Sequence, residues 1–214
     1  MFYNNFMKKK KSENSKQKIL SAATKLFAQH GFDGVSVRDI CDKANVNVCM
    51  VSYYFGGKKE LYQGIIDNLI ECQSNYLKTF IDFEKSVKSM SKKEQLDLLF
   101  LILDKFVDFF YKNISSDLIV ILLKEQQNKY FVMKSPAIKY FRQLIAAVFD
   151  KDESDREIIL KTLFITSQVN SPRILPAFSL RLLGQDDFIQ EDIKIIKDNV
   201  MFYVKALIKE AGID

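Results

Sequence analysis

The sequence predicts an all-α protein, with three closely spaced N-terminal helices joined by a long fourth helix to a larger helical body. Three observations predict it. Only 3 prolines and 7 glycines punctuate 214 residues, which favours helices over turn-rich sheets. Apolar residues recur at the i, i+3, i+4, i+7 spacing of a helix face. Capping residues stand where one such pattern stops and the next begins.

Residues 1–12 (MFYNNFMKKKKS) read as a flexible basic arm. From Glu13 the pattern is helical, with Ile19, Ala22, Ala23, Leu26 and Phe27 on one stripe. "HGFDG" ends it, because Gly31 can take the left-handed conformation that closes a helix. Ser36 opens a second helix through the capping box "SVRD", and Val37, Ile40, Cys41 and Ala44 form its buried side. After a tight turn near Ala44-Asn45, Asn47 caps a third helix of about Val48 to Tyr54. That helix is too short to stand alone, so neighbours must brace it. Gly56 and Gly57 stop it. Lys58 then begins a fourth helix, whose seam is Leu61, Ile65, Leu69, Cys72, Tyr76 and Phe80.

Between Leu96 and Tyr111, 12 of 16 residues are apolar and the polar ones share one narrow stripe, so this helix belongs inside the body. Further helices are expected over 116–128, 136–149, 154–169 and 189–211, with "NSPRILP" (170–176) breaking the pattern. The expected organisation is an arm (1–12), a three-helix module (13–57) and a body (58–214) entered by a connecting helix (58–83).

The net charge of +5 is uneven. Residues 1–71 hold 11 Lys/Arg against 7 Asp/Glu, whereas the remainder is nearly balanced. A basic module on a neutral body points to a polyanion at one end. Cys41, Cys49 and Cys72 lack the paired spacing of zinc modules and His30 is the sole histidine, so neither a metal nor another cofactor is indicated. No Gly-rich phosphate loop or catalytic cluster supports an enzyme. Lacking a signal-peptide core and any apolar run near 18 residues, the chain reads as soluble, cytoplasmic and without a membrane partner.

Three helices in about 40 residues, the last two separated by a tight turn, form a helix-turn-helix arrangement. The stretch Asn45 to Tyr54 carries no charge in a chain where 28% of residues are charged. An uncharged helix face suits the DNA major groove, where small polar and apolar groups meet base edges while flanking charges grip phosphate. Two rivals stand beside this reading. One is an all-helical interaction scaffold with a basic N-terminal surface; the other is a redox-sensing regulator working through Cys49.

The stretch "ILSAATKLFAQHGFDGVSVRDICDKANVNVCMVSYYFGGKKELY" resembles the TetR-type bacterial transcriptional regulators over about Lys16 to Ile70. It shares an A-x-x-L-F-x-x-x-G-[FY] first helix, a [TS]-[VT]-x-x-I-[AC] second helix and a Y-x-F-x-x-K-[ED]-x-L closure. "SYYFGGKKELY" looks like the "SYHFGGK" branch, and "LKEQQN" and "LRLLG" echo it. The resemblance implies that Ser36 and Arg38 contact phosphate, that Asn47 caps the recognition helix, and that Val48, Cys49 and Met50 face bases. Tyr53 and Tyr54 would press on the DNA backbone and Lys58 would meet a phosphate at a helix N-terminus. Two positions depart from the family: Asn45 stands where most members have Gly, and Ser52 where most have Tyr, so Tyr53 would take over that tyrosine's contact.

For the body, the resemblance implies a homodimer and a small-molecule pocket, hence an effector-responsive repressor of a pseudo-palindromic double-stranded operator. Ile189, Ile193, Ile196, Val200, Tyr203, Val204 and Leu207 form an apolar seam on the last long helix that would meet the partner. Phe100, Phe106, Phe109, Phe110, Tyr130, Phe131, Tyr140 and Phe141 are candidates to line a pocket for a hydrophobic or aromatic effector.

Overall fold

The computed structural model describes residues 2–127, 129, 131 and 134–213, with side chains described from residue 14 onward. Among these residues there is no strand. In chain order the helices are α1 (Phe2–His30), α2 (Val37–Ala44), α3 (Cys49–Phe55), α4 (Lys58–Leu77), α5 (Lys92–Asn113), α6 (Ser116–Gln126), α7 (Pro136–Val148), α8 (Arg156–Ile174), α9 (Leu180–Leu183) and α10 (Gln190–Glu210). Short 3-10 turns lie at Val87–Ser89 and Pro176–Phe178.

The contacts divide the chain into one unit of residues 1–72 and 115–132, and a second of 73–114 and 133–214. This differs from the boundary expected at residue 57: the first 15 residues of α4 and the whole of α6 pack with the N-terminal module. The reason is apolar burial. Ile19, Ala23 and Phe27 of α1, Ile40 and Cys41 of α2, Val51 of α3, Leu61 and Ile65 of α4 and Ile121 of α6 share one core. The Lys124 ammonium adds a hydrogen bond to the Ala28 carbonyl near the end of α1 (3.3 Å). The segment expected as an arm enters α1, whose helical backbone begins at Phe2; no glycine or proline interrupts residues 1–30.

In the second unit, α5 packs against α7, α8 and α10. Leu99, Leu103 and Val107 of α5 meet a core completed by Leu144 and Ile145 of α7, Ile158 and Ile165 of α8 and Val204 of α10. Helix ends are closed by side chains, as buried carbonyls require. The buried Arg173 guanidinium donates to the carbonyls of Phe110 (2.8 Å) and Ile114 (2.6 Å) at the end of α5. Lys92 does the same for Ala147 (3.0 Å) and Val148 (2.8 Å) at the end of α7.

Two helix ends differ from expectation. α4 stops at Leu77 instead of running on to residue 83. There the Thr79 hydroxyl donates to the Tyr76 carbonyl (2.7 Å) and a turn follows. α8 runs through Pro172 to Ile174, so "NSPRILP" ends the helix at its second proline and not its first. The break of pattern at Pro172 is absorbed because Arg173, one residue on, is anchored to α5, and the Ser179 hydroxyl donates to the Pro172 carbonyl.

Candidate nucleic-acid interface

The turn between α2 and α3 is built by local hydrogen bonds. The Ser36 hydroxyl accepts from the Asp39 N–H (3.1 Å), and the Asp39 carboxylate accepts from the Ser36 N–H (2.8 Å) and hydroxyl (2.6 Å). This reciprocal box fixes where α2 begins. The Ser36 hydroxyl above all, then its N–H, holds the Asp39 carboxyl below its usual value of 3.8. At the other end Asn45 sits at φ 53°, ψ 53°, the left-handed conformation that Asn tolerates better than most residues. Its N–H and that of Val46 turn back onto the last carbonyls of α2, Val46 reaching Cys41 at 3.0 Å. Asn47 then caps α3, its Oδ1 accepting from the Cys49 N–H at 3.0 Å.

On α3, Val51 is buried in the core of the first unit, and Met50, Tyr54 and Phe55 are half-buried against that core. The face left exposed is Val48, Cys49, Ser52 and Tyr53, spaced i, i+1, i+4, i+5 as one side of a helix must be. It carries no charge. Tyr53 is 77% exposed and rests its ring edge-on against Tyr54 (4.9 Å). Met50, also expected to face bases, is half-buried and lies one step round the helix from the exposed side, partly packed against the core. Tyr54 likewise serves packing more than surface. Ser36 and Arg38 are exposed at the start of α2, while Lys58, the first residue of α4, is half-buried against Phe32. Of the three cysteines, Cys49 is exposed on the α3 face and Cys72 on α4. Cys41 is fully buried, and that burial pushes its thiol pKa up.

The second unit contains an apolar cavity of about 30 Å³ lined by Gln73, Tyr76 and Leu77 of α4, Ile102, Phe106 and Phe109 of α5, Ala137, Ile138 and Phe141 of α7, and Thr166 of α8. Phe106, Phe109 and Phe141 were expected there. Four of the other five candidates were not brought to it. Phe100 lies near the Lys205 ammonium (5.9 Å) and Phe110 packs edge-on against Tyr111 (5.4 Å). Tyr140 packs on Phe83 (5.1 Å), beside a separate, more polar crevice. Phe131 packs on the core of the first unit, and Tyr130 lies outside the described residues. The missed wall residues Tyr76, Leu77, Ile102 and Ile138 carry no local signal. Only the register of α4, α5 and α7 against one another brings them together. The polar marks are Thr166 and Gln73, whose Oε1 accepts from the buried Ser135 hydroxyl at 3.0 Å.

The seam expected to meet a partner is covered in part by the chain itself. Ile193, Val200 and Val204 are buried inside their own chain, where α10 packs on α5 and α8. Ile196, Tyr203 and Leu207 are half-buried, and only Ile189 is exposed. The exposed apolar residues of α10 are instead Ile195 and Phe202, and neighbouring α8 exposes Ile159, Leu160, Leu163 and Phe164. Such residues could have been found by asking which helices carry apolar side chains on two faces.

Among the described residues no helix is long and apolar enough to cross a membrane. Comparison with known proteins agrees with this geometry. Residues 19–65 match the family of bacterial regulatory proteins, tetR family, and residues 102–210 match the C-terminal domain of the HTH-type transcriptional dual regulator CecR. The "Probable HTH-type transcriptional regulator YttP" of Bacillus subtilis (strain 168) is 33% identical over 153 residues, 68% of each chain. The dual regulator CecR of Shigella flexneri is 21% identical over 209 residues, 93% of each. For the fold alone, a TerR/AcrR-family transcriptional regulator from Aquifex aeolicus VF5 superposes with a TM-score of 0.58 at 18% identity, over 90% of this chain and 99% of that one. With a capped α2, a left-handed turn and an uncharged exposed face on α3 inside the matched segment, the chain belongs to the TetR family and is a helix-turn-helix transcriptional regulator.

Proposed function

We propose that the protein is a homodimeric repressor that binds a pseudo-palindromic operator through α3 and is released by a small hydrophobic effector. The observation that carries the DNA-binding part is the exposed side of α3: four residues, none charged, on a helix held by the core beneath it. Val48, Cys49 and Ser52 would meet base edges and thymine methyls, and Tyr53 the sugar–phosphate ribbon. Ser36, Arg38 and Lys58 would contact phosphates. Two such helices in a dimer enter successive major grooves about 34–36 Å apart. TetR-family regulators bind DNA as dimers and respond to small-molecule effectors, which supports the same arrangement here.

The effector reading rests on the cavity beside the end of α4. Its wall is apolar apart from Gln73 and Thr166, so it suits an aromatic or aliphatic molecule with one hydrogen-bonding group. At about 30 Å³ it is far smaller than the roughly 300–1,000 Å³ of ligand sites. An effector would therefore have to part side chains that line it, among them the rings of Tyr76 of α4 and Phe109 of α5, whose centroids are 5.3 Å apart. Because α4 is one continuous helix from Lys58 to Leu77, a shift at Tyr76 becomes rigid-body motion at its other end.

Capture of sheared genomic DNA by the purified protein, followed by sequencing, tests the reading. A few inverted repeats are expected; fragments without a shared repeat would reject it. Spin labels on α3 of each protomer, measured with and without an effector found by thermal-shift screening, test release. Unchanged distances would reject the spacing mechanism.

A further inference from the structure

The Lys58 ammonium lies 4.3 Å from the centroid of the Phe32 ring. Phe32, in the turn after α1, is itself held from two sides. It stacks on Phe27 (5.7 Å, 25°), and the Tyr62 ring meets it nearly perpendicular (5.4 Å, 83°). Phe27 and Tyr62 also touch edge-on (5.2 Å, 72°), closing a three-ring cluster. The cluster is rooted in the core, since Phe27 is 1% exposed, and in α6, where the Glu125 carboxylate accepts a hydrogen bond from the Tyr62 hydroxyl. Phe32 by contrast is partly exposed, with its ring face turned to a cation at the very start of α4.

A lysine side chain is flexible, and binding a phosphate freezes it. A ring face attracts an ammonium without using up its N–H donors, so a lysine resting on a ring is partly ordered before DNA arrives and loses less freedom on contact. We propose that Phe32 is a positioning residue for operator binding, holding the Lys58 ammonium on its ring face where a backbone phosphate is to be met. This rests on the reading of Lys58 as a phosphate contact. The rings of Phe27 and Tyr62 fix the plane of Phe32, so the platform is set by the core of the first unit and not by DNA.

The test uses the full-length protein and a short labelled duplex bearing an inverted repeat recovered by genomic capture, with anisotropy titrations over a range of potassium chloride. Lys58→Met should lower the salt slope by about one per half-site. Phe32→Leu should weaken binding about two- to fivefold per half-site, the ratio expected of an exposed cation–ring contact. Phe32→Tyr, which keeps the ring, should restore it. In the Lys58→Met background Phe32→Leu should cost nothing more. Equal losses from Phe32→Leu in both backgrounds, or no loss in either, would overturn the proposal. An unaltered slope for Lys58→Met would instead remove the phosphate contact, and the role for Phe32 with it. A measurement on the unmutated protein guards against a variant that fails to fold. The Lys58 side-chain methylene protons should show ring-current upfield shifts by NMR, and their absence would equally overturn the inference.

Discussion

Asn45 stands at φ 53°, ψ 53°, where a Cβ crowds the following carbonyl and most residues lose about 1–2 kcal/mol. Its amide side chain eases that conformation, and glycine would avoid it altogether. Asn45→Ala is therefore expected to lower stability by about 1 kcal/mol, while Asn45→Gly holds or slightly raises it; urea unfolding followed by helix ellipticity checks both. Equal losses for the two variants would mean the backbone is not left-handed there. The other end of α2 has a pH signature. Asp39 is held below its usual value of 3.8, first by the Ser36 hydroxyl and then by the Ser36 N–H, with Arg38 and His30 adding attraction in the same direction. A carboxyl depressed on folding contributes stability that is present above its unfolded value and disappears as the pH falls below it. The stability difference between the native protein and Asp39→Asn should thus persist at neutral pH and fade below pH 3.8. A difference that grows on acidification would reverse the assignment. Both devices were legible in the sequence, because "SVRD" and an Asn after the last periodic apolar residue are local signals.

At the scale of the element, α3 shows what periodicity settles and what it leaves open. Its existence followed from Asn47 before it and Gly56 after it, and Gly56 does close it at φ 96°. Its orientation did not follow, since Met50 and Ser52 are equally compatible with a groove-facing side until the packing of Val51 fixes the rotation. Met50 is half-buried against the core, so Met50→Ala should cost about 1 kcal/mol of stability, less than the roughly 2–5 kcal/mol of a fully buried site, with operator preference retained. Ser52→Ala should do the opposite, keeping stability and shifting base preference by up to about 1–3 kcal/mol at one position. Parallel melts and competition titrations against single-base operator variants separate the two. A change of preference from Met50→Ala would restore that side chain to the groove. The cavity was legible only as a surplus of aromatic residues. Which of them converge depends on how α4, α5 and α7 are rotated, and three of the seven candidates among the described residues line it. α10 failed for a related reason. It is apolar on two sides, and the expected seam, Ile189 to Leu207, is covered by its own chain at Ile193, Val200 and Val204.

For the whole molecule the question is what covers the second apolar side. Phe202 is 74% exposed and Ile195 54% on α10, while Leu163 and Phe164 on the neighbouring α8 are 54% and 53% exposed. Scattered single apolar residues are ordinary on a surface, but several large ones on two helices packed together mark an interface. A second copy of the chain is the occupant that the proposed reading of a two-fold operator requires. Phe202→Glu is therefore expected to convert the protein from dimer to monomer in sedimentation equilibrium at micromolar concentration. Operator affinity should fall at least about tenfold, because a monomer engages one half-site and forfeits the effective concentration that links the two. The fold should survive, since the side chain is mostly solvent-exposed within one protomer. Ile193→Glu is the contrast: that residue is 4% exposed, and an unpaired charge there should unfold the second unit. If Phe202→Glu sediments as a dimer and binds the operator unchanged, the partner meets some other surface. If it unfolds like Ile193→Glu, Phe202 belongs to the subunit's own packing.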